Sequence, residues 1–211
     1  MAPYLPNGIM LLRITFIVVM PWRVVISKIT NFPYICEGND PCEMKEIKIK
    51  RWKSPCGELV IGSFDGRLCM CDWGRESVIR RLTRYLDAPV VEGDTCVIEE
   101  TICRLEEYFT GKRQDFDLPL LLAGTDFQRD VWNAITSIPY GDTISYHALA
   151  CMSGNTAAVR AVANAVGANA LSVIIPCHRV VGTNGSMTGY AGGIDAKIKL
   201  LGIERDYRLS F

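Results

Sequence analysis

Residues 174–181 read Ile-Ile-Pro-Cys-His-Arg-Val-Val, which places a potential nucleophile directly after a β-branched run and a proline. Pro176 has no N–H to donate and pushes the residue before it towards an extended conformation. The pattern predicts a strand over Ser172–Ile175 and a sharp turn at Cys177. A cysteine beside a histidine and an arginine is in a setting that favours the nucleophilic thiolate. A buried structural cysteine is the alternative, and the rest of the chain has to decide.

Charge is distributed unevenly along this chain of 211 residues, although its formal net charge is zero. Hydrophobic residues make up 49% of it, enough for one large core or two small ones. No carboxylate occurs between Asp142 and Asp195, whereas Arg160 and Arg179 lie in that segment. A surface without negative charge suits a polyanionic ligand. The alternative is that the segment is mostly buried and apolar, which would also leave it without carboxylates.

The nine cysteines are odd in number and have no regular framework spacing. Only His147 and His178 could join them in a zinc site, so neither a metal nor another cofactor is expected. Reduced thiols indicate a cytoplasmic protein. The cysteines of the N-terminal half are predicted to act as small hydrophobic side chains: Cys56, Cys69, Cys71 and Cys103.

Residues 1–43 do not resemble part of the fold. The apolar run Ile14–Met20 is too short for a membrane span, and Arg13 and Pro21 bound it. Basic residues before the run and a clear cleavage site, both typical of a signal peptide, are missing. We expect Met44 to be the natural start and 1–43 to be a mistranslated or unstructured extension; a degenerate membrane anchor is the alternative.

Two domains are predicted after this extension, an α/β support domain at 44–118 and a mostly helical domain at 119–211. The first has alternating strand patterns, an Asp-Gly hairpin and helical apolar spacing, but no obvious site residue. Its predicted elements are a strand from Met44, a hairpin of Glu58–Phe64 and Arg67–Trp73 around Asp65-Gly66, and helices Glu76–Tyr85 and Cys96–Phe109.

The second domain begins with a helix after the linker Asp115–Gly124, since Thr125 and Gln128 fit a capping box. Two short helices joined by a three-residue turn then predict a helix-turn-helix. Ser145 is the expected cap of the first helix and Asn155 that of the second. The helices are Tyr146–Met152 and Thr156–Val166, and a last helix is predicted over Asp195–Leu201.

One face of the second helix carries alanines, Asn164 and a single cation, Arg160. A simply solvated helix would carry Glu and Lys there, whereas small residues let another backbone approach closely. This favours a nucleic-acid surface made by Ala157, Arg160, Ala161, Asn164 and Ala168. A reactive base atom inside a duplex can be reached only if the nucleotide is flipped out, and Arg160 could hold the gap open.

A nucleophile also needs a base and a group that orients the base. We expect His178 to take the proton of Cys177 through a water molecule and Glu204 to orient His178.

Three segments together resemble the O6-alkylguanine-DNA alkyltransferases, also called methylated-DNA–protein-cysteine methyltransferases. They are Ile144-Ser145-Tyr146, Arg160-Ala161-Val162 and Pro176-Cys177-His178-Arg179-Val180. The resemblance is strong over 125–205, and the chain from Met44 is similar in layout only. It implies an α+β protein: a small ribonuclease-H-like support domain and a winged-helix-like helix-turn-helix domain.

The function implied by the resemblance is direct reversal of DNA damage without a cofactor. The alkyl group of O6-alkylguanine, and less readily of O4-alkylthymine, would move irreversibly to Cys177 after base flipping through the minor groove. Double-stranded DNA would be the partner, and a monomer with neither an obligate protein partner nor a membrane is expected.

The resemblance also implies roles for individual residues. Asn169 would brace the turn beside the site, and Tyr190 would cover the alkyl pocket. The substrate would be contacted by Tyr146, Arg160, Arg179, Val180, Tyr190, the backbone N–H of Ala191, and Lys197. The DNA would be contacted by Ser145, Ala157, Ala161 and Asn164. Some relatives have proline at position 172 and serine at 191, where this chain has Ser172 and Ala191.

Two alternatives remain at this stage. A catalytically inactive damage sensor with the same fold is disfavoured, because such relatives replace the cysteine that is present here as Cys177. The other alternative is a multi-turnover hydrolase that uses Cys177, His178 and Glu204. It would consume many substrate molecules per protein, whereas irreversible transfer to Cys177 allows only one.

Overall fold

Alternating isoleucines and lysines form β1 (Ile47–Ser54), with Ile47 and Ile49 buried. The computed structural model describes residues 45–154 and 156–209, and side chains as far as residue 205. In it, β1 forms a four-stranded sheet with β2 (Gly57–Phe64), β3 (Arg67–Asp72) and β4 (Val90–Glu92). The strand order is β3-β2-β1-β4. Strands β1, β2 and β3 are antiparallel, and β4 pairs parallel to β1.

The predicted hairpin is present, with Phe64 paired to Arg67. Asp65 and Gly66 have φ values of 51° and 70°, the left-handed conformation that a two-residue hairpin turn needs. β4 was not predicted, because three residues carry too little alternation to be recognised.

Helices α1 (Glu76–Leu86) and α2 (Cys96–Phe109) form where their apolar spacing predicts them. Val78 and Leu82 are the buried residues of α1. α2 buries Leu105 and Tyr108 among others.

The C-terminal half contains the predicted helices. The elements are α3 (Asp126–Thr136), β5 (Ile144–Ser145), α4 (Tyr146–Met152), α5 (Val159–Gly167), a 3₁₀ turn (Cys177–Arg179), β6 (Val180–Val181) and α6 (Gly193–Leu209). Thr125 and Gln128 form the predicted capping box at the start of α3. α4 has the predicted bounds, α5 begins three residues later than predicted, and α6 is much longer than the predicted last helix.

The strand predicted over Ser172–Ile175 is wrong. The chain turns tightly there instead: the N–H of Ile175 donates to the carbonyl of Leu171 at 2.8 Å, and Val173 has a φ of 72°. A left-handed β-branched residue is strained, so the surrounding structure has to impose it. A short run of β-branched residues fits any buried segment, which is why its pattern was misleading.

One hydrophobic core cluster combines side chains from both halves of the sequence, such as Leu59 of β2 and Leu200 of α6. Trp132 joins α3 to α5, because its indole N–H donates to the carbonyl of Ala165 at 2.8 Å. The domain boundary between residues 118 and 119 therefore stays a prediction.

The seven cysteines described are free. Cys69 and Cys71 are buried, as predicted, and burial raises the pKa of Cys69 to about 12. Cys56 is half-buried, and Cys103 is exposed, contrary to its predicted place among the buried thiols. Within the described ranges, no helix is both long and apolar enough to cross a membrane. The predictions for residues 1–43 and for Asn155 lie outside the described residues.

Candidate active site

The 3₁₀ turn presents Cys177 from the floor of a small cavity. Cys177 is 5% exposed, and its N–H donates to the carbonyl of Ile175 at 2.7 Å. Asn169 contacts the segment that leads into this turn. Its side-chain N–H donates to the carbonyl of Ile175 at 3.1 Å, and its side-chain oxygen accepts from the N–H of Leu171 at 2.9 Å. The stretch of residues 171–177, which carries the predicted alkyl acceptor Cys177 and is called the acceptor turn, is thus fixed on both sides of Val173.

Burial raises the pKa of the Cys177 thiol, which opposes the thiolate that the sequence favoured. A hydrogen bond with Asn169 and the positive charges of Arg75 and Lys197 lower the pKa again, but by less than burial raises it. The thiol therefore needs a base to remove its proton before it can act as a nucleophile.

The Glu204 carboxylate, which is fully buried, collects hydrogen bonds from five donors among the described residues. Its Oε1 accepts from the Tyr108 hydroxyl at 2.7 Å, from Nε2 of His178 at 2.7 Å and from Nη2 of Arg179 at 3.0 Å; its Oε2 accepts from Nε of Arg179 and the N–H of Gly141, each at 3.0 Å. Burial by itself would raise the pKa of Glu204. Hydrogen bonds from His178 and Arg179, together with the positive charge of Arg179, lower it to about 2, so the group is ionised.

This arrangement fixes the tautomer of His178. Burial lowers its pKa by more than the contact with Glu204 raises it, so the imidazole is neutral. Because an ionised carboxylate only accepts, Nε2 carries the proton that is donated to Glu204. Nδ1 is then the lone-pair nitrogen, and it is buried without a hydrogen-bond partner among the described residues. It is the atom that can take a proton.

Arg179 lies in this buried network and is 6% exposed. Besides its two bonds to Glu204, its Nη1 donates to the carbonyl of Ile138 at 2.6 Å. The expectation that Arg179 contacts substrate does not fit this position, because its guanidinium is already occupied by protein acceptors. Its contacts place it as the counter-ion of Glu204.

Lys197 is also fully buried, in α6. Its Nζ donates to the carbonyls of Val180 at 2.7 Å and Thr188 at 3.2 Å, and burial lowers its pKa. Lys197 thus joins β6 to the glycine-rich loop of residues 182–192, which lies over the site. Val180 of β6 is buried and pairs with Ile144 of β5.

The glycine-rich loop closes over Cys177. The ring of Tyr190 packs edge-on against Trp73, with centroids 5.9 Å apart, and lies 6.4 Å from the His178 ring. The remaining cavity has a volume of about 20 Å³, room for roughly one water molecule and far too little for a base. Its walls are Arg75, Val166, Gly167, Asn169, Cys177, Gly189, Tyr190 and Ala191.

The predicted nucleic-acid face is at the surface: Ala157, just before α5, and Arg160, Ala161 and Asn164 of α5 are exposed. Ser145 caps α4, with its hydroxyl accepting from the N–H of Ala148 at 3.1 Å. The Tyr146 hydroxyl donates to the carbonyl of Thr188 at 3.5 Å, so it lies beside the loop that closes the cavity. His147 is exposed, with Cys151 as its neighbour at 3.9 Å.

Three side chains of the N-terminal half reach the site without having been predicted: Tyr108, Trp73 and Arg75. Tyr108 occupies an apolar stripe of α2 and therefore has the pattern of a core residue. Trp73 and Arg75 follow β3 in a segment without a recognisable motif. No signal in the sequence places them near Cys177, because their contacts join residues about a hundred positions apart. Within the described ranges, no cluster of three His, Cys, Asp or Glu side chains could hold a metal ion.

Family models match both halves of the chain. The ribonuclease-like domain of 6-O-methylguanine DNA methyltransferase matches residues 47–122, and the DNA-binding domain of the same family matches residues 126–206. The chain belongs to the methylated-DNA–protein-cysteine methyltransferase family. This confirms the resemblance, the α+β fold class and the assignment to DNA repair by methyl transfer to a protein cysteine.

Relatives in this family cover most of the described residues. The inducible methylated-DNA–protein-cysteine methyltransferase of Bacillus subtilis is 43% identical over 134 residues, which are 64% of this chain and 70% of the relative. The constitutive protein of the same organism is 39% identical over 159 residues, 72% of this chain and 92% of the relative. The crystal structure of Mycobacterium tuberculosis OGT in complex with DNA has a TM-score of 0.67 and 35% identity, and covers 76% of this chain and 94% of that one.

Tyr108→Phe should lower the free energy of unfolding by about 1.5–3 kcal/mol, because it removes a buried hydrogen bond to a charged acceptor. Denaturant unfolding measures the change. Tyr85→Phe is the matched control, since Tyr85 is 51% exposed and its loss should change stability by no more than about 0.5 kcal/mol. Equal, small effects in both variants would contradict the role given to Tyr108.

His178 should remain neutral in the folded protein at pH values where a free imidazole takes up a proton. Because its folded pKa lies below the unfolded value of about 6.5, the unfolded state binds the proton first. The contribution of neutral His178 to stability is therefore complete above about pH 6.5 and is lost as the pH falls. An NMR titration of His147→Gln leaves one imidazole signal to follow, that of His178. A folded-state midpoint above 6.5 would show a charged imidazole instead.

Proposed function

We propose that this methyltransferase repairs O6-alkylguanine in double-stranded DNA by a single transfer of the alkyl group to Cys177. The observation that carries the proposal is a buried thiol next to a neutral His178, whose Nε2–H is directed to the ionised Glu204. This is the arrangement of a nucleophile, a base and an orienting group.

The transfer begins with proton removal. Nδ1 of His178 takes the thiol proton of Cys177 through one water molecule, and the resulting imidazolium is stabilised by Glu204. The sulfur attacks the alkyl carbon, a C–S bond forms, and the bond between that carbon and O6 breaks. The electron pair stays on the guanine, which takes a proton and becomes the normal base. Because no described group can remove an alkyl group from a thioether, the protein is consumed.

The substrate base lies where the glycine-rich loop now closes the cavity. Tyr190 forms the cover of the alkyl pocket, and the backbone N–H of Ala191 binds O6. Val180 and Lys197 act through their mutual contact, which holds β6 against the loop, and Tyr146 hydrogen-bonds the base from the side of α4. Tyr190 and Ala191 line the cavity, and Tyr146 and Lys197 contact the loop at Thr188. Val180 contacts Lys197.

DNA is bound through the minor groove by the face of α5. Ala157, Ala161 and Asn164 allow close approach of the backbone, Ser145 fixes the start of α4, and Arg160 fills the gap left by the flipped nucleotide. The exposure of these α5 residues supports this role. The relative from Mycobacterium tuberculosis was crystallised in complex with DNA, which supports the same partner for this chain. O4-alkylthymine is a second, poorer substrate.

The protein works as a monomer in the cytoplasm. The free state of the described cysteines supports a reducing compartment.

Incubation with an excess of duplex carrying O6-methylguanine should leave one methyl group per protein, on the peptide that contains Cys177. Mass spectrometry detects the adduct, and the repaired DNA should equal the protein in amount. Cys177→Ser should form no adduct and should still bind the duplex. Repair of many duplexes per protein would support a hydrolase, and loss of DNA binding in Cys177→Ser would indicate a folding role.

Arg160→Ala should slow repair of the duplex at least about tenfold more than reaction with free O6-benzylguanine, because only the duplex requires flipping. Arg80→Ala is the matched control, since Arg80 is an exposed arginine of α1 whose nearest acid is Glu76. Equal losses with the two substrates would exclude the proposed role of Arg160.

A further inference from the structure

The last carbonyls of a helix have no hydrogen-bond donor within the helix. At the end of α5, two arginines from the N-terminal half donate to these carbonyls. Nη1 of Arg75 donates to the carbonyl of Gly167 at 2.8 Å, and its Nη2 donates to that of Asn169 at 2.7 Å. Arg81 donates to the carbonyl between them, that of Ala168, at 2.5 Å. The end of the proposed DNA-reading helix is therefore held by side chains of another part of the sequence.

Arg75 is fixed in this position by Asp72, which is fully buried. Oδ1 of Asp72 accepts from Nε of Arg75 at 2.9 Å and from Nη2 at 2.5 Å. Oδ2 accepts from the backbone N–H of Arg75 at 2.9 Å. Two carbonyls and a carboxylate thus bind one guanidinium, whose planar set of donors suits such an arrangement.

Arg75 differs from Arg81 in its position relative to Cys177. Arg75 forms part of the wall of the cavity that contains Cys177, and Arg81 does not. Arg75 also holds the backbone of Asn169, whose side chain holds the acceptor turn at Ile175. A continuous set of contacts therefore joins Asp72 to the turn that presents the thiol.

We propose that Arg75 is a positioning residue for alkyl transfer, which holds Asn169 against the acceptor turn and keeps a positive charge beside the Cys177 thiol. This rests on the proposed function of Cys177.

The electrostatics of the thiol agree with that geometry. Burial raises the pKa of Cys177. Among the contacts that lower this pKa, the hydrogen bond with Asn169 has the largest effect, followed by the charge of Arg75 and then by that of Lys197. The titratable or charged groups that face the thiol from the elements around it are Arg75, Tyr146, His178, Tyr190 and Lys197. Arg75 and Lys197 are the cations of this group, and Arg75 alone is also bonded to Asn169.

Arg75→Gln, Arg75→Lys, Arg81→Gln and Arg81→Lys form a matched set, because both arginines hold carbonyls at the end of α5. The rate of methyl transfer from saturating O6-methylguanine duplex to Cys177 is measured by mass spectrometry across a range of pH. Saturation removes differences in DNA affinity, and thermal unfolding reports on stability.

Arg75→Gln should transfer the methyl group about tenfold more slowly at neutral pH. The pH midpoint of its rate should lie about one unit above that of the wild type, because loss of a positive charge raises the pKa of the thiol. Arg75→Lys should keep the wild-type pH midpoint and recover part of the rate. Both Arg81 variants should unfold at a lower temperature but keep the rate within about twofold and the pH midpoint unchanged.

The proposal is overturned if the Arg75 and Arg81 variants lose rate equally, or if Arg75→Gln is slower without a shift of its pH midpoint. If Arg75→Gln does not fold, the lysine pair decides, and equal rates in Arg75→Lys and Arg81→Lys overturn the proposal. A wild-type protein that forms no adduct on Cys177 would instead overturn the proposed function itself.

Discussion

The buried carboxylate of Glu204 is the group on which the rest of the site depends. An ionised carboxylate away from water is unfavourable by several kcal/mol unless hydrogen bonds and a counter-ion compensate it. Arg179 supplies the charge, and Tyr108, His178 and Gly141 supply the further donors. These groups come from α2, the loop after α3 and the 3₁₀ turn, so satisfying one charge brings together elements that are distant in sequence.

The same carboxylate determines what His178 can do. With Arg179 already paired to Glu204, the carboxylate does not need a second cation, and the buried imidazole stays neutral. A neutral imidazole with its Nε2–H held by Glu204 offers Nδ1 as a base. The buried thiol of Cys177 has a raised pKa and so remains a thiol until that base acts. If Cys177 is the single-use acceptor that we propose, burial and a raised pKa both protect its thiol from other electrophiles.

Much of this site could be predicted from sequence, because its chemistry is concentrated in short segments. The run from Pro176 to Val180, the predicted face of α5 and Glu204 indicate the reaction from sequence alone. Local periodicity was less informative where tertiary contacts decide the conformation. Val173 adopts a left-handed conformation because Asn169 holds the chain on both sides of it, and no pattern of β-branched residues encodes that constraint. The role of Arg179 was misjudged for a similar reason, since its acceptors, the Glu204 carboxylate and the Ile138 carbonyl, lie far away in the sequence.

The N-terminal half was predicted as a support without site residues, and its contacts require a different description. Tyr108 donates to the carboxylate that orients the base, Trp73 packs on the tyrosine that covers the pocket, and Arg75 holds the residue that braces the acceptor turn. Each contact is made by a side chain that any helix or loop could carry, so the sequence around it gives no sign of its use. The cavity beside Cys177 holds about one water molecule, and Tyr190 is one of its walls. Since Trp73 lies against Tyr190, the N-terminal half contributes a contact to the cover of this cavity as well as to the fold.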